Sequence, residues 1–197
     1  RWLSPPNPSI NHNAACELHH PGTGDWLLRG DIFKGWKMKE SSLLWIHGKP
    51  GSGKSILSSV IIEALKPSAD TRDSPHLVDF YFDFRDSHKH ECRGVLSSLA
   101  FQLAHLSSEA NTLLRDLYSR NHTGTVEPSI AELNECVKHM FSVFGEVFVI
   151  LDALDECPMH TERTKVLDMV QNIMSWKLRG LHLCITSRPE TDIKMRL

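Results

Sequence analysis

Residues 48–55 run Gly-Lys-Pro-Gly-Ser-Gly-Lys-Ser, the spacing G-x-x-x-x-G-K-[ST] suited to gripping phosphate. Gly48, Gly51 and Gly53 permit backbone angles and close approach that side chains block. Lys49, Pro50 and Ser52 fill the turn between them, so backbone N–H groups can point inward around an anion. Lys54 would reach terminal phosphates as a point charge. The Ser55 hydroxyl is of the type that ligates Mg²⁺ in such loops. Ile56 completes the set as the first apolar residue of the helix whose positive end faces the anion.

The loop needs a strand before it and a helix after it. Leu43-Leu44-Trp45-Ile46-His47 is a short apolar run, assigned to a buried strand over 42–47. Helical apolar spacing follows from about 54 to 65 and is expected to stop at Lys66-Pro67. Residues 67–75 are polar, with Pro75 as a breaker.

A phosphate loop also needs an acid on the metal side. Val147 to Leu151 is continuously apolar, as in a parallel strand covered on both faces, and Asp152 follows it directly. That puts a carboxylate at a strand's carboxyl end, where open α/β sheets bind ligands. Asp152 is therefore expected to hold Mg²⁺ opposite Ser55. Asp155 and Glu156 follow, and three acids beside phosphate would repel it unless a metal or a proton-transfer role offsets the charge. Asp155 or Glu156 is placed to orient or deprotonate an attacking water. Arg188, after a last strand over 181–186, is a cation suited to a terminal phosphate. With no N-K-x-D guanine signature, adenine is favoured, hence ATP or ADP.

Other elements alternate around these. A strand is expected at 77–84, and helices at 29–39, 91–106, 108–119, 129–143 and 161–176. The pattern predicts an α/β P-loop nucleotide-binding fold, an open and mostly parallel sheet with helices on both faces. Residues 1–15, rich in Pro, Asn and Ser, are expected to form a linker or disordered arm. Residues 16–41 should pack on the core, and 42–197 form the nucleotide-binding domain.

The 197 residues carry a net charge of −2, which argues against broad binding to nucleic acid or an anionic membrane. The longest apolar run is far too short to span a bilayer, and no signal peptide opens the chain. The first residue is Arg1 and not Met, as in a piece of a longer protein. Five cysteines without a C-x-x-C pair suit reduced thiols, hence a cytoplasmic or nuclear setting. The run His88-Lys89-His90-Glu91-Cys92 invites a metal, but no second cluster at ligand spacing completes a four-ligand site.

Taken together, residues 44–55, Phe80-Tyr81-Phe82-Asp83-Phe84, Leu151-Asp152-Ala153-Leu154-Asp155-Glu156-Cys157 and Thr186-Ser187-Arg188-Pro189-Glu190 resemble NACHT domains of the STAND class of signalling NTPases, especially those of fungal NLR-like proteins. The resemblance covers roughly residues 16–197. It implies that Asp155, two positions beyond the small residue Ala153, activates water with Glu156 in support, and that Arg188 senses the terminal phosphate. It makes Thr23, Gly24 and Trp26 base-side contacts. It further implies a slow, Mg²⁺-dependent ATPase switch that self-associates with other NACHT domains, with effector and repeat regions elsewhere in the parent chain. The winged-helix part that locks ADP in such proteins is missing here. Two other readings stay open: a scaffold that binds nucleotide without hydrolysing it, and a small-molecule kinase with a lid at 108–128.

Overall fold

The computed structural model describes residues 2–66, 75–159 and 161–197. In chain order it contains α1 (Ser9–Glu17), α2 (Asp25–Arg29), α3 (Asp31–Met38), β1 (Ser42–His47), α4 (Lys54–Leu65), β2 (His76–Tyr81), α5 (Cys92–Leu106), α6 (Ser108–Arg120), α7 (Ile130–Ser142), β3 (Val147–Asp152), α8 (Thr161–Ser175), β4 (Leu181–Ser187) and α9 (Thr191–Lys194). The four strands form one all-parallel sheet in the order β1-β4-β3-β2. With helices on both faces, this is the architecture of P-loop NTPase-like proteins.

Side-chain alternation along the strands feeds two cores. Val147, Val149 and Leu151 of β3 join Leu183 and Ile185 of β4 under α5, α7 and α8. Phe148 and Ile150 face the other way, against Trp36 of α3 and Ile61, Ile62 and Leu65 of α4. Every residue of β3 is buried, which accounts for its unbroken apolar run. Strand β2 lies at an edge, where Gln102 of α5 covers it: the side-chain amide donates to Asp79 O at 2.7 Å and accepts from Asp79 N at 3.0 Å. That contact occupies backbone groups that would otherwise template pairing with another strand.

Helix starts follow local chemistry. Ser129 and Glu132 form a reciprocal capping box ahead of α7. Ser107 accepts from the N–H groups of Glu109 and Ala110 at the start of α6.

Two expectations are corrected. Residues 1–15 are not a loose arm over their length, because α1 begins at Ser9 and buries His12 and Ala15. Trp2 also donates its ring N–H to Val126 O at 2.8 Å. Their polar composition hid one-sided burial too narrow to register as a stripe. The helix expected near 29–39 is α3, which starts after Gly30, whose extended backbone (φ −70°, ψ 149°) separates it from the short α2 before it. Strand β2 stops at Tyr81 and not at residue 84, since the Asp83 carboxylate turns the chain by accepting from the Arg85 backbone and guanidinium. The polar stretch 67–75 lies, apart from Pro75, outside the described residues, as does Pro67 as a helix stop.

Candidate functional site

The carboxyl ends of β1, β3 and β4 bring the phosphate loop, the acids and Arg188 to one edge of the sheet. The loop enters from β1 when Gly48 donates its N–H to Ser187 O at 3.3 Å, which ties it to the end of β4. A Cβ at Gly48 would lie 2.6 Å from Ser52 Oγ and 3.3 Å from Ser52 Cβ, so a side chain there would force Ser52 to turn away. Gly53 stands at φ 84°, a left-handed conformation that turns the chain into α4. Lys54 Nζ donates to the carbonyls of Gly48 and Lys49 at 3.1 and 3.2 Å, so the ammonium lies across the loop's own concavity. Ser55 is exposed at the mouth and Ile56 is half-buried behind it.

Asp152 is buried beneath the loop. Its Oδ1 accepts from Ser58 Oγ at 2.6 Å and from Thr186 Oγ1 at 2.7 Å. Burial pushes its carboxyl above the ordinary carboxylate range, while hydroxyls of Ser58, Ser55 and Thr186 pull the other way. A desolvated carboxylate among hydroxyl oxygens is a hard, all-oxygen donor set, and it fits Mg²⁺ better than a softer metal. Asp152 and Ser55 are the residues that would hold that ion, and Lys54 with the loop amides would hold phosphate.

Ala153 follows Asp152 in a left-handed conformation (φ 59°, ψ 43°) and donates its N–H to Thr186 Oγ1 at 2.9 Å. This kink swings the next acids away from the strand axis. The Asp155 side chain is only 5% exposed. It accepts from the Arg188 backbone N–H at 2.9 Å and pairs with Arg188 Nε at 2.8 Å. The two residues expected to act separately, one on water and one on phosphate, thus hold each other. Glu156 lies at the rim, accepting from Phe84 N–H at 3.3 Å; burial raises its pKa, partly offset by that bond.

Two of the residues expected on the base side, Thr23 and Gly24, lie beside α4, the helix that issues from the loop. Gly24 sits against Leu57 and Val60 of α4, Thr23 lines a surface cavity beside it, and Trp26 stands 70% exposed on α2. The stretch 108–128, weighed as a lid, is mostly regular helix α6 and packs on α5 and α7.

Three residues of the site escaped the sequence reading. Ser58 and Thr186 buttress Asp152. Arg163, on α8, is buried and donates to Asp155 O at 2.6 Å and Cys157 O at 2.9 Å while pairing with Glu190 and, at 3.6 Å, Asp192. A signal existed: Arg163 shares a helical stripe with buried Val166, Leu167 and Val170, a position where a cation must have partners.

The family described as Nephrocystin 3, N-terminal, matches residues 22–188. The chain is also similar to the Vegetative incompatibility protein HET-E-1 of Podospora anserina, with 27% identity over 179 residues. That alignment takes in 87% of this chain but spans only 13% of the fungal protein. Among the described residues, no helix is long and apolar enough to cross a membrane.

Proposed function

The chain belongs to the Nephrocystin 3, N-terminal family, and from that membership and the site together we propose that it is an ATP- and ADP-binding, Mg²⁺-dependent switch of a NACHT-type signalling protein. Slow hydrolysis resets it, and the nucleotide state sets conformation and self-association. A role in a fungal incompatibility response of the kind named by HET-E-1 is the setting in which we place it.

The observation that carries this reading is the pair Asp155–Arg188 beside the loop and Asp152. A γ-phosphate is a stronger partner for a guanidinium than a carboxylate whose second oxygen is already engaged. ATP would draw Arg188 away from Asp155 and free that carboxylate to face water. ADP would leave the pair intact. Differential contact of this type is what a nucleotide needs in order to bias one conformation over another. Chemistry is then confined to moving one proton from water to Asp155 or Glu156, while Lys54 and Arg188 balance the charge on the leaving oxygen.

The test is the nucleotide that co-purifies with the protein, read by mass, followed by a titration with Mg²⁺ and ATP of the wild type and Lys54→Ala. Retained ADP, and loss of ATP affinity and ATP-driven self-association in the variant, support the switch. Retained GDP, or a variant indistinguishable from wild type, sinks it.

The same ion pair also favours a second reading, a scaffold in which nucleotide only stabilises the fold, because both oxygens of Asp155 are engaged by Arg188 and turned away from a water. Single-turnover hydrolysis by wild type and Asp155→Asn separates the two. Equal background rates favour the scaffold.

A further inference from the structure

His12 and Cys16 are four residues apart on α1, so they share one face of that helix. Glu63 of α4 meets that face. His12 Nε2 lies 2.9 Å from Glu63 Oε1 and 3.5 Å from Cys16 Sγ, and Cys16 Sγ lies 3.9 Å from the same Glu63 oxygen. A triangle with those sides has a centre about 2.0 Å from each corner, close to the bond lengths of zinc to nitrogen and oxygen and slightly short for sulfur. Ligands of a tetrahedral zinc stand about 3.4–3.6 Å apart, so three side chains need shift by only about half an ångström to accept the ion. Among the described residues this is the group whose donor atoms converge in this way.

From this convergence we propose that His12, Cys16 and Glu63 form a Zn²⁺ site that staples α1 to α4, the helix that issues from the phosphate loop. Imidazole, thiolate and carboxylate form a mixed donor set that suits zinc and not Mg²⁺ or Ca²⁺. The imidazole is already oriented: its Nδ1 lies 3.0 Å from the hydroxyl of buried Tyr81, which fixes the ring and leaves Nε2 for the metal. A cavity of about 560 Å³, lined by the three ligand residues with His19, Thr23 and Asp25 among others, leaves room for a water as the fourth ligand. Lys66 Nζ lies 2.5 Å from the Glu63 oxygen, but its half-exposed side chain is free to swing out when the cation arrives. Binding displaces the Cys16 thiol proton to solvent, so the sulfur meets the metal as thiolate.

Stripping the purified chain with a chelator and titrating it with Co²⁺, then displacing Co²⁺ with Zn²⁺, tests the site. Wild type should show a thiolate-to-cobalt charge-transfer band that Zn²⁺ abolishes. Cys16→Ser should lose the band and weaken Zn²⁺ binding at least about tenfold. Tyr81→Phe should keep the band but weaken binding by roughly ten- to a hundredfold. Lys66→Ala, which removes the competing ammonium, should tighten it by about two- to fivefold. A band that survives in Cys16→Ser, no band in wild type, or equal Zn²⁺ affinity across the set would overturn the assignment.

Discussion

Asp155 holds Arg188 twice, with Oδ1 on the backbone N–H and Oδ2 on Nε. One carboxylate thereby fixes both the chain direction at the end of β4 and the guanidinium attached there. Arg188→Ala keeps the first bond and removes the second. Because the Arg188 side chain is 48% exposed, the expected loss of stability is small, about 1 kcal/mol or less. The larger effect falls on ligand choice: the preference for ATP over ADP should collapse towards one. Competition titrations with a fluorescent nucleotide, run on both proteins, would reveal it.

Among the described residues, Lys54 Nζ donates to the carbonyls of Gly48 and Lys49, neither fully buried, so its removal leaves groups that water can reach. Lys54→Ala should unfold at the same denaturant concentration as wild type. Nucleotide affinity should fall roughly ten- to hundredfold, as expected for losing a charged hydrogen bond to phosphate. Equilibrium denaturation and calorimetric titration separate the two effects.

At Asp152, two substitutions part stability from metal binding. Asp152→Asn retains an oxygen to accept from Ser58 and Thr186, so the fold should survive while Mg²⁺ ceases to strengthen ATP binding. Asp152→Ala leaves two buried hydroxyls without their acceptor and should cost about 2–4 kcal/mol. Urea titrations with and without Mg²⁺-ATP measure both.

Arg163 braces the acid-bearing turn through the carbonyls of Asp155 and Cys157. Arg163→Met fills similar space but abandons those carbonyls and frees Glu190. A loss of about 2–4 kcal/mol is expected, together with faster amide hydrogen exchange over 154–157. Unchanged exchange there would show that the turn holds itself.

His182 gives a pH dependence. Burial lowers its pKa below the ordinary 6.5, although Glu146 nearby pulls the other way. The ring stacks on Phe148, and its Nδ1 lies 2.8 Å from Ser42 Oγ and 3.2 Å from Trp36 O. Lys37 adds a small push in the same downward direction. The unfolded chain therefore binds a proton at a higher pH than the folded one. Its contribution is fully present above about pH 6.5 and is lost as pH falls towards the folded-state value. His182→Gln should be less stable at pH 8 and flatter in stability between pH 7 and 5. Denaturation curves across that range decide it.

Much of this was legible in the sequence for physical reasons. Strand β3 announced itself because a parallel strand buried on both faces needs an unbroken apolar run, β1 and β4 did so through shorter apolar stretches, and helices α5 to α8 through apolar residues at helical spacing. The loop's tight turn and the buried acid at the end of β3 were readable because glycines at set offsets and a carboxylate straight after an apolar run leave a mark in the sequence. What stayed hidden was contact between distant segments. Nothing in the spacing of Asp155 and Arg188 tells that they pair across 33 positions. Ser58 looks like any helix serine until Asp152 is set above it. Helix α1 was missed because its buried residues, His12 and Ala15, are too few and too polar to outweigh their neighbours.

The strand order carries a consequence for how the protein is made. Strand β1, which delivers the phosphate loop, pairs with β4 alone among the described strands, and Ser42 lies 140 residues before its partner His182. A nascent chain would expose β1 and its loop long before the strand that clamps them leaves the ribosome. Closing so wide a separation is entropically costly and slow. The glycine-rich loop is therefore among the last features to be clamped in place, and until then an apolar strand edge is open to helper proteins or to aggregation.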